Sequence, residues 1–588
     1  MQQPFSGFDE LGYGNLYLKH ARTLNIVCVR DLDSFRRIKY HLSKYLKDMR
    51  ANLFAHIPPV ATSSLLEEYA ASGVNPDTGF QAWSWVFDAF WKEDWQPLVT
   101  LVSRLQNLTV LNYRLLNRFP MALHQALARF HPHCNLNIWT GTMPFPDSKP
   151  GEQMFLNSNP LQNHLPRLDD YSLSHLRSYA AMCPVNSERV GSQTRWSHMV
   201  RHFTYLAACR SLRHIDVCLD SRWGTSNEIK RANAKWATIP APKALAKPES
   251  LSITGFGPRE HILLDLAGIF DLSTLRSLDL DVWEHPTLLQ EIAPRLPNLQ
   301  KLLISLDTKL NKDPDLYADH QGVIEAIVTF SPLQYLCLRG VRNVATLDLI
   351  IERHGPRLKG LLIEPTTAGR VGPLSDMHFK YPHLTAADIL RFAESAPNLR
   401  ELRLPLKRDK GSKDECGIYR ALSAFTNLHC LLLDLHYDTR TAPIYPGWRP
   451  SATGLREILV NAATDAELAR SIWTLVSETQ SSKALRSLSV HPFGSESFKM
   501  PEAYLLMSLA PSFLVQRPAF DVFEPLEIKC VAEGRYELEV EWRLQEGDGP
   551  GRGLTKSLKE VFNEVWPGEG KWQTRWRSFP LKEEVEGA

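Results

Sequence analysis

Residues 399–404 read Leu399-Arg400-Glu401-Leu402-Arg403-Leu404: an apolar residue, two others, leucine, one other, and leucine again. The same spacing of apolar residues recurs six more times between residues 272 and 490. The other copies are Leu275-Leu278-Leu280, Leu299-Leu302-Ile304, Leu333-Leu336-Leu338, Leu358-Leu361-Ile363, Leu428-Leu431-Leu433 and Leu485-Leu488-Val490. In most copies proline, asparagine or a small polar residue precedes the first leucine. A recurring unit of this kind predicts a repeat protein, whose units stack in one dimension.

The motif has the spacing of the strand in a leucine-rich repeat. Between the copies, apolar residues recur at three- and four-residue intervals, as in residues 288–296, and this spacing predicts helices. Thr385 with Asp388, and Thr464 with Glu467, have the spacing of helix N-terminal caps. We therefore predict an α/β fold. It is an irregular leucine-rich-repeat solenoid, a horseshoe with parallel strands on the concave face, helices outside and capping units at both ends.

The repeats are unequal in length. The first leucines of successive copies lie 24 to 57 residues apart, which predicts loops inserted at 306–320, 366–383 and 436–453. A weaker copy at Leu455-Ile458-Val460 would divide the longest interval. The asparagine that commonly follows the strand is missing, and its positions hold Trp283, Asp307, Val341 and Lys407. Because that side chain would satisfy backbone groups of the turn, we expect irregular curvature.

The solenoid is assigned to residues 98–510, after an N-terminal capping region at 1–97. That region contains a strand at 24–29, a basic amphipathic helix at 32–50 and a tryptophan-rich cluster at 83–95. The basic helix face is interpreted as a solvated face, with phosphate contact as the alternative. The aromatic cluster is interpreted as core packing that closes the end of the array, with a ligand cage as the alternative.

Residues 511–588 form the second capping unit. Apolar and polar residues alternate at 526–530 and again at 536–544, which predicts a β-hairpin. A glycine-rich link then leads to residues 554–566, whose apolar side chains fall on one face of a helix. We expect this hairpin and helix to cover the last strand edge, because an open edge invites aggregation.

Composition limits the class of partner and the compartment. The 67 basic and 65 acidic residues give a net charge of +2, so no general attraction to nucleic acid or to an anionic membrane is expected. No run of about 18 apolar residues predicts a membrane span. The first residues lack the features of a signal peptide. Nine scattered cysteines without a Cys-x-x-Cys pair indicate reduced thiols, and hence a cytoplasmic or nuclear protein.

The sequence holds no recognisable catalytic motif, so we predict that the chain is not an enzyme and carries no cofactor. The segment Gly547–Gly553 is glycine-rich but lacks the lysine and hydroxyl residue of a phosphate loop. His131, His133 and Cys134 are close enough to share a metal ion, yet no further ligands stand at metal-binding spacing, and no metal is predicted. A hydrolase within one of the terminal units is the less favoured alternative.

Strand alternation predicts a partner-binding surface on the concave face. If Leu402 and Leu404 point into the core, the side chain between them points to the other face. The same register selects Asp279, Asp281, Ser305, Arg339, Glu364, Arg403, Asp434 and His491. Leucines 303, 362 and 432 accompany these charges, and apolar anchors in a polar surround suit a protein partner. The alternative is that an inserted loop covers those leucines. With the surface exposed, charge reversal at Arg339 and Arg403 would abolish binding without unfolding.

The chain resembles the F-box/leucine-rich-repeat-like proteins of fungi. The resemblance rests on the irregular repeats and on Leu105-Gln106-Asn107-Leu108, Arg118-Phe119-Pro120, Leu123-His124-Gln125-Ala126-Leu127 and His131-Pro132-His133-Cys134-Asn135-Leu136. It implies a substrate-recognition component of a cullin-based ubiquitin ligase, in which the F-box docks on the small adaptor subunit and the repeats hold the target. The F-box itself is not evident in this chain. The alternative is a repeat scaffold for signalling or GTPase regulation, unrelated to ubiquitin ligation.

Overall fold

The chain forms an α/β structure of two compact units, Met1–Leu299 (unit 1) and Gln300–Ala588 (unit 2). This computed structural model describes residues 21–27, 95–114, 119–140, 175–183, 203, 206–219, 246–255, 262–280, 286–306, 320–341, 343–365, 381–438, 451–477, 484–494, 506, 509–517, 526–530, 556–570 and 572–581. Within these residues it contains fifteen β-strands and twelve α-helices. The basic helix and most of the tryptophan cluster predicted before residue 95 lie outside the described residues.

The described residues of unit 1 contain seven strands, and each pairs in parallel with the next along the chain. They are β1 Thr23–Val27, β2 Val110–Arg114, β3 Asn135–Thr140, β4 Leu176–Cys183, β5 His214–Leu219, β6 Ser250–Gly255 and β7 Ser277–Leu280. The helices are α1 Gln96–Arg104, α2 Met121–Phe130, α3 Ile262–Ile269 and α4 Pro286–Ile292. The predicted strand at 24–29 is present as β1 over its described residues, and residues 28 and 29 lie outside them.

Unit 2 contains eight strands, and chain order is again strand order. They are β8 Lys301–Ser305, β9 Tyr335–Arg339, β10 Gly360–Glu364, β11 Glu401–Lys407, β12 Cys430–His436, β13 Ser487–Phe493, β14 Phe513–Gln516 and β15 Glu527–Cys530. Strands β8 to β13 are parallel. The last two, β14 and β15, are added antiparallel.

The described helices of unit 2 are α5 His320–Thr329, α6 Val344–His354, α7 Ala386–Ser395, α8 Lys413–Ala421, α9 Ala452–Ala462, α10 Ala466–Ser477, α11 Lys556–Val565 and α12 Trp572–Arg575. Six of these helices, α5 to α10, lie between the parallel strands, and α11 and α12 follow the last strand. Helices α5 to α8 pack against one another in chain order. Among the helices that the structure describes, none is both long and apolar enough to span a membrane.

All seven copies of the leucine motif contribute a strand, β7 to β13, and their apolar residues are buried. In unit 2 the motifs are in register: Leu402 of β11 pairs with Leu361 of β10 and with Leu431 of β12. The predicted strand–helix alternation and parallel pairing are therefore confirmed. The capping box of α7 is present as well, since Thr385 and Asp388 exchange side-chain-to-backbone hydrogen bonds.

Asparagines that precede the first leucine of a motif link successive repeats. The Nδ2 of Asn398 donates to the carbonyl oxygen of Pro356 at 2.9 Å, and Asn427 donates to Pro397 at the same distance. In unit 1, Asn298 donates in this way to Ser273 at 2.8 Å. These side chains supply hydrogen-bond donors to turn carbonyls of the preceding repeat. In this chain the asparagine that binds a turn backbone group therefore stands before the strand. The sequence analysis had noted that the usual asparagine after the strand is missing.

Two local predictions are wrong, and a third is not tested. Leu455, Ile458 and Val460 lie in α9 and not in a strand, because Leu455, Ile458, Leu459 and Ala462 share one helical face. The cap of α10 is Asp465 and not Thr464: Oδ1 of Asp465 accepts from the backbone N–H of Leu468 at 2.9 Å. Strand β15 pairs with β14, at 513–516, and the segment 536–544 proposed as its partner lies outside the described residues.

The predicted C-terminal helix is present as α11. Its apolar face, with Val561, Phe562 and Trp566, packs against Leu455 and Leu459 of α9. The chain after it is tied to the start of α10. There Asp465 accepts hydrogen bonds from the backbone N–H and the hydroxyl of Ser578, at 2.8 and 2.7 Å. The end of the chain is therefore an integral part of unit 2.

Truncation of a motif leucine should be costly. Leu402 is 1% exposed at the centre of the parallel array. Leu402→Ala is expected to lower the free energy of unfolding by about 2–5 kcal/mol, because it leaves a cavity in a packed core. Urea denaturation measures this loss. The matched control is Leu390→Ala, since Leu390 of α7 is 46% exposed and its loss should change stability by no more than about 0.5 kcal/mol. Equal losses for the two variants would contradict the packing described.

A buried histidine connects two backbone groups of the preceding repeat. His354, at the end of α6, accepts a hydrogen bond from the backbone N–H of Leu333 at its Nδ1, 3.2 Å away. Its Nε2 lies 3.2 Å from the carbonyl oxygen of Ile327. This pattern requires the neutral imidazole protonated at Nε2, because only one ring nitrogen donates. Burial lowers the pKa of His354 to about 4.

That lowered pKa predicts a pH-dependent contribution to stability. The unfolded chain takes up a proton at this histidine near its ordinary pKa of 6.5, whereas the folded chain resists protonation down to about 4. The contribution of His354 is therefore complete above pH 6.5 and is lost as the pH falls towards 4, by at most about 3 kcal/mol. The difference in unfolding free energy between wild type and His354→Gln, measured across this range, should grow with pH. A difference independent of pH would contradict this assignment.

Candidate functional site

Five of the eight residues predicted for the partner surface form one continuous network in unit 2. Arg339, Glu364, Arg403, Asp434 and His491 lie on the successive strands β9 to β13, and we call them the polar ladder. Arg339 donates to Oε2 of Glu364 from Nε at 3.2 Å. Nδ1 of His491 lies 3.1 Å from Oδ1 of Asp434. Positive and negative side chains thus alternate from strand to strand.

Arg403 joins the two halves of the polar ladder. Its Nη1 donates to Oε1 of Glu364 at 2.6 Å. Its Nε and Nη2 donate to Oδ2 and Oδ1 of Asp434, at 2.7 and 3.2 Å, which is the two-point geometry that guanidinium and carboxylate favour. In the strand register Asp434 is level with Pro405, which lies two residues after Arg403 on β11. Arg403 therefore reaches along its strand to place its charge between the two acids.

The polar ladder is buried, which corrects the expectation of an exposed wall. Arg403 is 2% exposed and Asp434 is fully buried. Glu364 and His491 are buried too, and Arg339 is partly buried. Leucines 303, 362 and 432 of the same face are also buried, as the alternative interpretation required. Strand alternation gives the face on which a side chain lies, but it does not tell whether that face meets solvent.

The electrostatics of the polar ladder are those of a neutralised network. Two guanidinium groups face two carboxylates, and His491 stands at the end of the row. Burial disfavours the charged form of Arg403, but the carboxylates of Asp434 and Glu364 outweigh it and raise its pKa. Removing one member of a buried, paired network of this type strands the others, so the network is sensitive to any change in strand register. Its arrangement suits a structural role.

Of the other three predicted site residues, the structure describes Asp279 and the backbone position of Ser305. Asp279 belongs to unit 1, where it is partly buried and Oδ2 lies 3.5 Å from the hydroxyl of Ser252 on the neighbouring strand. Ser305 ends β8, at the position level with Arg339 of β9, and so lies next to the end of the polar ladder. Asp281 lies outside the described residues. The structure therefore brings five of the eight predicted residues into one hydrogen-bonded network.

Beside the polar ladder lies an aromatic cluster that the sequence analysis missed. His436 ends β12, level with Phe493 of β13, and their rings are 4.8 Å apart. The hydroxyl of Tyr381 lies 3.0 Å from Nδ1 of His436. Burial raises the pKa of Tyr381. Because Tyr381 precedes α7, this hydrogen bond anchors the start of that helix to the end of β12.

A second buried ion pair follows β11. The guanidinium of Arg408, which is fully buried, donates to Oε1 of Glu415, and the Tyr419 hydroxyl donates to the same oxygen at 2.7 Å. Oε2 of Glu415 accepts from the backbone N–H groups of Asp409 and Gly411, at 2.7 and 2.9 Å. Burial and the Glu415 charge raise the pKa of Tyr419. One carboxylate thus organises the whole turn between β11 and α8.

The histidine and cysteine group near residue 131 is structural. Nε2 of His131 lies 2.8 Å from the carbonyl oxygen of Val102, which ties the end of α2 to α1. Burial raises the pKa of the Cys134 thiol to about 11, so this sulfur is a poor metal ligand at neutral pH. Among the described residues, no group of three or more histidine, cysteine or acidic side chains is arranged to hold a metal ion.

Comparison with known proteins adds no family to these observations. No protein-family model and no curated protein matches the chain. What the chain can do must therefore be argued from its repeats and surfaces.

Proposed function

We propose that this chain is a non-enzymatic protein-interaction scaffold with leucine-rich-repeat architecture, of the substrate-receptor type that serves cullin-based ubiquitin ligases. One observation carries the proposal. Six consecutive parallel strands, β8 to β13, stack in register, so each position of the repeat recurs on every rung. Stacked repeats of this kind provide extended surfaces that suit large partners.

The buried networks support a rigid scaffold. The polar ladder crosses five strands, and the Arg408–Glu415 pair fixes the turn that follows one of them. A surface held in one conformation loses less entropy on binding a partner. Because the polar ladder is itself buried, the contacts with a partner are assigned to the exposed rims and helix faces of the repeats.

The experiment is cross-linking mass spectrometry on affinity-purified full chain. Recovery of the small cullin adaptor together with a target protein cross-linked to the repeats is the expected result. A stable complex with a small GTPase, without the adaptor, would favour the GTPase-regulating alternative. A chain that forms no stoichiometric protein complex would overturn the scaffold proposal.

A further inference from the structure

A column of basic residues runs along one rim of unit 2. Lys359, Arg400, His429 and Arg486 each stand directly before a strand, from β10 to β13 in turn. We call these four residues the basic rim. Backbone hydrogen bonds hold them on successive rungs: the N–H of Arg400 donates to the carbonyl of Lys359, that of His429 to Arg400, and that of Arg486 to His429, each at 2.8 Å. The column is thus part of the repeat itself.

The charges of the basic rim are available to a ligand. Arg400 and Arg486 are exposed, and Lys359 and His429 are partly exposed. Among the described residues, neither arginine has an ion-pair partner. Adjacent strands lie about 4.8 Å apart, so the four residues span about 14 Å. An extended peptide of about five residues covers that length.

An open groove of about 340 Å³ lies at the start of the basic rim. Lys359 and Arg400 line it together with Arg357, so three cations surround one depression. Gln334 and Asn398 also line it and are already oriented. Gln334 accepts a hydrogen bond from Nζ of Lys359 at 2.9 Å, and Asn398 donates to Pro356. Of the described residues that line the groove, none is acidic.

The composition of this surface favours a carboxylate-rich peptide over a nucleic acid. Guanidinium groups bind carboxylates in two-point geometry, and amide side chains such as Gln334 and Asn398 suit a peptide backbone. Single-stranded nucleic acid is held largely by stacking on aromatic rings, and the groove has none among its described lining residues.

We infer that the basic rim is a docking site for an extended, acidic segment of a partner protein, running from the groove at Arg357 towards Arg486. This inference rests on the proposed scaffold function and gives it a partner chemistry. Aspartate and glutamate side chains of the segment pair with the arginines, and its backbone meets the amide groups of the groove. The polar ladder takes no part in this contact.

The test is fluorescence anisotropy of a labelled peptide of ten glutamates, titrated with the full chain at low ionic strength. We expect saturable binding that weakens as salt is added. Arg400→Gln with Arg486→Gln should weaken binding about five- to tenfold, since two exposed ion pairs are lost. The matched control is Arg456→Gln with Lys559→Gln, which removes the same charge from exposed residues of α9 and α11.

Three results would overturn the inference. They are the absence of saturable binding by the wild type, equal affinities of the two double variants, and tighter binding of a ten-nucleotide RNA at the same residues. Cross-linking separates this outcome from that of the scaffold proposal. A partner recovered with all its cross-links away from the basic rim would support the scaffold proposal and overturn the docking site on the basic rim. Peptide binding at the basic rim without any recovered protein partner would keep the basic rim as a binding site and overturn the scaffold proposal.

Discussion

Arg403→Ala should lower the free energy of unfolding by about 3–5 kcal/mol, the loss typical when one partner of a buried ion pair is removed. The variant leaves the carboxylates of Glu364 and Asp434 facing each other inside the protein, where the guanidinium of Arg403 now separates them. Arg339 and His491 still contact one carboxylate each, but two buried acids that have lost their shared counter-charge cost more than the missing contacts alone. Chemical denaturation of the purified chain measures the loss.

The matched control is Arg391→Ala. Arg391 also joins two carboxylates, those of Asp348 and Asp388, with hydrogen bonds of 2.8 to 3.2 Å. The difference lies in solvent, because the side chain of Arg391 is 46% exposed and that of Arg403 is 2% exposed. Exposed pairs contribute about 0–1 kcal/mol, so this variant should remain close to wild type. Similar losses for both variants would show that the polar ladder is not desolvated.

The burial of Arg403 also changes what charge reversal would do. For an exposed surface, reversal at Arg339 and Arg403 would abolish partner binding in a folded protein. In the structure, a glutamate at position 403 would place a third carboxylate beside Glu364 and Asp434. Such a variant should fail to fold stably, so loss of binding by it would say nothing about a binding site.

The strands and most helices could be predicted because their periodicity is local. The leucine motif alternates with period two, and the capping box at Thr385 is complete within four residues. The prediction at Leu455 was wrong because the spacing of the leucine motif and the spacing of a helix coincide there. The spacing from Leu455 to Ile458 fits both the motif and a helix, and Leu459 and Ala462 favoured the helix that is observed. Pairing of β15 with β14 is not local, since residues 517 to 526 separate them.

The sequence predicted which residues lie together in the candidate site, but it did not predict that they are buried. Alternation placed Arg339, Glu364, Asp434 and His491 in register, and the structure confirms those neighbours. Their burial depends on what covers the face, which no local pattern encodes. The Arg408–Glu415 pair had a visible signal in the Ser412-x-x-Glu415 spacing of a helix cap. The buried guanidinium that Glu415 also binds had no such signal.

Glu415→Ala is expected to cost about 3–5 kcal/mol, comparable to the loss of Arg403. The carboxylate of Glu415 takes hydrogen bonds from Arg408, Tyr419 and the backbone N–H groups of Asp409 and Gly411. Its removal leaves a fully buried guanidinium without a counter-charge, together with unsatisfied backbone donors. Thermal and chemical denaturation of the variant measure the loss.

Glu467→Ala is the comparison that isolates burial. Glu467, like Glu415, lies in the first turn of a helix and pairs with an arginine, but its side chain is 70% exposed, and we expect a change of no more than about 1 kcal/mol. A second substitution tests the cause of the large effect. Arg408→Met added to Glu415→Ala removes the stranded charge and should restore part of the lost stability, because an apolar side chain tolerates that environment. If the double variant is less stable than Glu415→Ala, the guanidinium has a further partner in the folded protein and Glu415 is not its principal counter-charge.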